Sequence, residues 1–206
     1  MRFYYFEMVG TAVFAITGVL AVTRKGLDVF GALVLGIVTA LGGGTVRDLI
    51  IGATPFWIND FNYVWAAAAG ALPAFSIGAL FRNTYRGLLY LDAVGAALFA
   101  VTAANKVLLL NLSPPVAVTM GVLTGIGGGL IRDVLAGRPT LLMSREIYAT
   151  PILLGCIAFV SLRAMTPSFP YAAQIGFAII LGVRVLAIYR HLEMPSWLTH
   201  RDSEEK

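Results

Sequence analysis

Two heptapeptides, GGGTVRD at 42–48 and GGGLIRD at 127–133, set three glycines and an arginine–aspartate pair inside runs of otherwise apolar residues. Each glycine weakens a helix interior by about 1 kcal/mol relative to alanine, and it lets another backbone, an ion or a small ligand come close. An arginine or aspartate near the middle of a bilayer costs at least about 2.5–3.5 kcal/mol, so each requires an opposite charge or water. Together these residues can build a narrow polar path: backbone exposed at Gly42, Gly43 and Gly44 and again at Gly127, Gly128 and Gly129, with charges of both signs beside it. Helices bent or broken at membrane depth are tolerated only where they are buried in protein or line a wet cavity. Close helix packing needs small residues at intervals rather than a contiguous triplet. The triplets are therefore expected to be kinks around a path.

The charges need partners. Arg47 and Asp48 are adjacent, as are Arg132 and Asp133, and neighbours one apart do not face each other on a helix. The two heptapeptides are offset by 85 residues, and the same offset lays VGTAVFAIT from Val9 onto VGAALFAVT from Val94 without a gap. It also pairs Gly36 with Gly121, Thr39 with Thr124, Gly52 with Gly137 and Glu7 with Asp92. Shared apolar composition alone does not produce a gapless register with matched charges, so the chain carries a duplication. The depths at which the acids and arginines fall predict a Glu7–Arg47 pair toward the outer mouth and an Asp92–Arg132 pair toward the inner mouth. Lys106 either faces the path or snorkels, Arg184 is expected to snorkel, and Asp28 and Asp60 sit where helix caps are needed.

The elements that must position these residues follow from hydropathy. Of 206 residues 58% are hydrophobic and 13% charged, against about 25% charged in a typical soluble domain. Apolar stretches near Tyr4–Val22, Val29–Ile51, Phe61–Leu80, Gly87–Leu109, Pro114–Ala136, Ile147–Ala164 and Tyr171–Tyr189 are candidate spans. The expected fold is an all-α polytopic membrane protein with seven transmembrane helices in one membrane domain over 1–194. Repeat one covers about 4–81, repeat two about 87–164, a seventh helix about 171–189, and 195–206 form a polar tail. Three helices per repeat place the second copy in the membrane upside down relative to the first. Arg24, Lys25, Arg82, Arg86, Arg138, Arg145, Arg190, Arg201 and Lys206 fall on one side, and little beyond Arg2 and Arg163 on the other. The positive-inside rule makes the first side cytoplasmic, with the N-terminus outside and the C-terminus inside.

Several chemistries are excluded as expectations. The net charge of +4 comes with no basic stripe carrying exposed aromatics, so nucleic acid is not a partner. GGGTVRD lacks the GxxxxGK[ST] spacing of a phosphate loop, and it lacks the downstream carboxylates that accompany a similar turn in tRNA nucleotidyltransferases. Glu7 interrupts what would be the apolar region of a cleaved leader. Cys156 is the only cysteine, and His191 and His200 have no ligand partners at metal spacing. No catalytic constellation, metal site or cofactor site is expected.

Two three-helix repeats, each with GGG followed by RD in its second helix, and a lone seventh helix resemble the prokaryotic trimeric intracellular cation (TRIC) channels. The resemblance runs from about Tyr4 to Tyr189. It implies a homotrimer in a prokaryotic plasma (inner) membrane, in contact with membrane lipids, each protomer enclosing its own path for potassium or other monovalent cations. The path would be lined by kinked second and fifth spans, and Lys106 would match the family's gating-associated basic residue on the fourth. Glu7, Arg47, Asp48, Asp92, Arg132 and Asp133 would be its pore or gate charges. Sequences of this kind are also labelled glycine transporters. An inverted repeat with broken helices fits a secondary carrier of glycine or another small amino acid as the alternative, and arginines at both mouths weigh against a high-conductance cation pore unless their acids neutralise them.

Overall fold

The computed structural model describes residues 2–23, 25–78, 84–144, 146–166 and 169–194. The tail at 195–206, with His200, Arg201 and Lys206, lies outside the described residues, as do Arg24, Arg82, Arg145 and the end of repeat one at 79–81. Among the described residues eight α-helices follow in order: α1 (Arg2–Val22), α2 (Val29–Ile50), α3 (Phe56–Asn59), α4 (Asn62–Gly78), α5 (Thr84–Leu109), α6 (Pro114–Leu135), α7 (Ala149–Met165) and α8 (Ala172–Arg190), with a 3₁₀ turn at Leu141–Met143. Among the described residues the fold is all-helical apart from one isolated backbone bridge, Glu146 to Glu193. The seven longer helices fall on the seven apolar stretches. By length and hydropathy α1, α2, α5, α6 and α8 can cross a membrane, whereas α4 and α7 are 17 residues each.

Local sequence sets the helix ends. Asp28 accepts a hydrogen bond from Gly31 N at 2.7 Å and caps the start of α2. Pro114 and Pro115 occupy the first turn of α6, where a missing N–H costs nothing. Both α2 and α6 end in the same motif. Gly52 and Gly137 take φ of +69° and +55°, and the next residues, Ala53 and Arg138, donate back to the carbonyls of Asp48 and Asp133 at 2.8 and 2.9 Å. This is a Schellman stop, and only a glycine enters its left-handed position without strain.

Helix α5 is the centre of the molecule. Alanines 93, 96, 97, 100, 103 and 104 are fully buried, so α1, α6 and α8 pack closely onto it. The two halves meet through residues that are each other's counterparts at the 85-residue offset. Phe14 and Phe99 stack at 5.4 Å; a Cβ on Gly10 would press on Phe99, and one on Gly95 would press on Phe14. Where α2 crosses α6, a Cβ on Gly43 would lie 2.7 Å from the Thr124 carbonyl, and one on Gly128 would lie 2.7 Å from the Thr39 carbonyl.

At that crossing the triplets, expected as kinks around a path, remain helical: both lie within uninterrupted α-helix. In apolar surroundings each backbone N–H and C=O must be satisfied, and keeping the helix does so at least cost. The missing Cβ atoms serve contact instead: Gly43 and Gly128 let backbone meet backbone, Gly44 seats the Phe56 ring, and Gly127 faces Gly43. Gly42 adjoins the Ile131 side chain and Gly129 adjoins Asp92. Contiguous glycines are explained because one face of the triplet meets the other helix while its other faces meet different neighbours.

Candidate functional site

Just past each triplet, the last turn of the helix carries its arginine and aspartate. In the second half, α6 presents Arg132 and Asp133, and α5 presents Asp92; Arg132 and Asp92 are wholly buried. Arg132 Nη1 donates to Asp92 Oδ1 at 2.7 Å and to Thr17 Oγ1 of α1 at 3.1 Å. Its Nε and Nη2 donate to the two oxygens of Asp133 at 2.9 and 3.2 Å. Asp133 Oδ2 also accepts from Leu141 N at 3.2 Å, which fixes the start of the 3₁₀ turn. Every nitrogen of this guanidinium has a partner, as a charge removed from water requires.

The first half repeats the parts and loosens the assembly. Arg47 is 2% exposed, and its Nε donates to Asp48 Oδ1 at 2.7 Å. Asp48 Oδ2 accepts from Phe56 N at 2.9 Å, the equivalent of the Leu141 bond, and so fixes the start of α3. Glu7, however, stands 3.7 Å from Arg47 Nη1, and its carboxylate is held by the Tyr63 hydroxyl at 2.8 Å. Arg47 Nη1 and Nη2 have no hydrogen-bond partner among the described residues, although the Phe56 ring lies under the guanidinium at 5.7 Å. Lys106 replaces the snorkelling alternative with a definite contact: its Nζ reaches Asp48 Oδ1 at 2.8 Å while the side chain stays 29% exposed.

The structure therefore brings both expected acid–arginine pairs within ion-pair reach. It corrects the exclusion of the adjacent pairs, since both arginines bond the aspartate one residue on. The one-apart rule concerns side chains that stand out from a helix surface. Here the aspartate turns toward the chain leaving the helix, and the long arginine side chain folds back over it. Arg184 is corrected as well. It is 1% exposed instead of snorkelling, donates from Nη1 to the Ile147 carbonyl at 2.7 Å, and lies 4.7 Å from the Tyr148 ring centre. Asp28 and Asp60 do cap; Asp60 accepts from Asn62 N and from the Tyr4 hydroxyl.

Sequence reasoning missed Tyr63 and Tyr148, which stand by Glu7 and Asp92 respectively. The signal was present, because these tyrosines are themselves 85 residues apart. It missed Thr17 too, one of several threonines that bond backward to their own helix and give no sign of a distant partner. Lys25 is a further contributor: from the end of α1 its Nζ donates to the carbonyls of Ala136 and Gly137 at the end of α6. Among the described residues no group of His, Cys, Asp and Glu has the spacing to hold a metal ion.

The chain matches the sequence model of the glycine transporter family over residues 4–78 and 89–164. It is 42% identical over 196 residues to a UPF0126 membrane protein of Vibrio cholerae, covering 94% of this chain and 82% of that one. It is 40% identical over 201 residues to the UPF0126 inner membrane protein YadS of Escherichia coli, covering 96% and 97%. Among solved structures it superposes on the TRIC trimeric intracellular cation channel orthologue of Rhodobacter sphaeroides with a TM-score of 0.89 and 40% identity, covering 93% of this chain and 99% of that one. That neighbour is a channel rather than an enzyme. The likeness, with the apolar helices, makes this chain a multi-pass membrane protein of TRIC-like fold.

Proposed function

The chain belongs to the family of UPF0126 membrane proteins matched by the glycine transporter sequence model and shares the TRIC fold, and from that premise we propose that it is a cation channel of the inner membrane, conducting potassium as a homotrimer with one path per protomer. Seven helices cross the membrane, N-terminus outside, as two inverted repeats and α8. The reciprocal contacts at Phe14–Phe99 and Gly43–Gly128 support the inversion, since a contact in which each residue touches its own counterpart implies a local two-fold axis. The path runs along α2 and α6, past Lys106 and Asp48 at one end of the crossing, and is shut where the glycine backbones touch.

One observation carries the reading: the acids neutralise the arginines. Arg132 is balanced by Asp92 and Asp133, and Arg47 with Lys106 by Glu7 and Asp48, so neither cluster presents an uncompensated positive charge to a passing cation. A second reading, transport of a small amino acid, has its own support. The Nη atoms of Arg47, which carry no hydrogen bond among the described residues, and the nearby Glu7 carboxylate offer one group for a carboxylate and one for an ammonium. Potassium currents in planar bilayers, measured beside uptake of labelled glycine into proteoliposomes, separate the two. Unitary currents that vanish in Gly43→Leu and Gly128→Leu are expected. Saturable glycine uptake without unitary current would replace the channel by a carrier.

A further inference from the structure

Helix α8 belongs to neither repeat, and the family match ends before it. It nevertheless holds the segment that feeds the second cluster, and it does so three times. Ile147 N donates to the Leu192 carbonyl just beyond α8 at 3.4 Å, the Ile147 carbonyl accepts from Arg184 Nη1 at 2.7 Å, and Tyr148 lies against the same guanidinium. The Tyr148 hydroxyl and Asp92 Oδ1 flank a single point: a Cβ built on Gly129 would be 2.9 Å from each. The Tyr148 hydroxyl has no hydrogen-bond partner among the described residues, so Arg184 acts on Asp92 and Arg132 through packing: its guanidinium lies on the Tyr148 ring, and Tyr148 stands beside Asp92. The first half has no such brace. Tyr63 is met by the edges of Tyr4 and Phe56, and no cation lies over its ring among the described residues.

We propose that Arg184 is a positioning residue: by fixing Ile147 and Tyr148 it holds the Asp92–Arg132 cluster in one arrangement, so that the second half of the protein is the static half and the Glu7–Arg47–Lys106 half is the one that rearranges when the path opens. A buried guanidinium on a helix outside the duplication is costly to maintain, and it sits where only the second copy can use it. The assignment of the moving half rests on the channel reading; the bracing does not.

The test is amide hydrogen exchange on the full-length protein in lipid nanodiscs, comparing residues 146–152 with their counterparts at 61–67. Arg184→Gln is expected to speed exchange at least tenfold in the first segment while leaving the second unchanged. Arg184→Lys, which keeps a cation over the Tyr148 ring, is expected to restore most of the protection. Exchange that rises equally in both segments, or in neither, overturns the bracing. If Arg184→Gln does not fold, Arg184→Lys is compared with the parent protein instead: a smaller rise confined to 146–152 is expected, and a rise shared by 61–67, or none, overturns the bracing. In bilayers the same substitution is expected to change open probability several-fold at unchanged unitary conductance, and an unchanged open probability overturns the assignment of the moving half. A parent protein that carries no current but shows the exchange pattern removes the channel reading and leaves the bracing intact.

Discussion

Arg47 and Arg132 occupy matching places at the ends of matching helices, yet one is saturated with partners and the other is not. Arg132 spends its nitrogens on Asp92, Asp133 and Thr17, all within hydrogen-bond distance. Arg47 bonds one aspartate, stands off from Glu7, and shares Asp48 with a partly exposed lysine. The substitution of Glu7 for Asp92 accounts for part of the difference. The longer acid reaches the Tyr63 hydroxyl with one oxygen and leaves the other short of the guanidinium. One motif occurs twice in the sequence, and a single methylene with one added lysine makes the two sites unequal. A buried guanidinium with every nitrogen bonded is held in place, even with Asp92 Oδ2 left without a partner, because every alternative geometry loses a bond. An under-saturated one has several arrangements of similar energy, which is what a moving part needs.

The sharpest way to break this comparison is to remove the acids in turn. Asp92→Ala leaves Arg132 with Asp133 but removes its shortest bond, to a buried charged partner, and is expected to cost about 1.5–3 kcal/mol, whereas Glu7→Ala, with a longer and partly exposed pair, is expected to cost about 1 kcal/mol or less. Equal losses in denaturant titrations of the detergent-solubilised protein would show that the two clusters are energetically alike. Next come the glycines at the crossing, where the halves should behave identically. Gly43→Ala and Gly128→Ala each push a methyl against backbone and are expected to cost about 1–3 kcal/mol, the same within error. Unequal losses would mean that the crossing is itself asymmetric.

Lys106→Met leaves Asp48 with Arg47 and the Phe56 amide, so a stability loss of about 1 kcal/mol is expected, together with a change in current–voltage behaviour that Lys25→Met does not reproduce. The smallest effect is the most discriminating. Thr17→Val removes an acceptor from Arg132 and is expected to cost about 1 kcal/mol, while its counterpart Thr102→Val, whose hydroxyl bonds its own helix, is expected to cost less.

Much of this was legible in the sequence because charge is conspicuous in an apolar chain. Glu7, Asp92, Arg47 and Arg132 announced themselves, the 85-residue register matched acid with acid and base with base, and their depths told which acid to set against which base. The helix locations followed from hydropathy for the same reason. What the sequence concealed were interactions that do not depend on pattern. Nothing in the spacing of GGG says whether glycines loosen a helix or let another one touch it; that is decided by the partner, here the opposite triplet. Helix α3 and the 3₁₀ turn at Leu141–Met143 are too short to carry a periodicity, and they start where an aspartate eight residues earlier receives an amide. Arg184 looked like an end-of-span arginine because its partners, a carbonyl and an aromatic face, carry no charge to search for.

The bond between each arginine and the aspartate beside it has a consequence for how the chain enters the membrane. Asp92 and Glu7 come from other helices and can reach their arginines only after tertiary assembly, but the Arg47–Asp48 and Arg132–Asp133 contacts lie within a single helix turn. They can close while α2 or α6 is still leaving the translocation machinery. Each of these helices can then partition into lipid as a net-neutral unit, sparing most of the penalty that a bare arginine would impose at that step. The adjacent aspartate is thus a travelling counter-ion, carried in with the charge it neutralises and later shared with the partners that arrive.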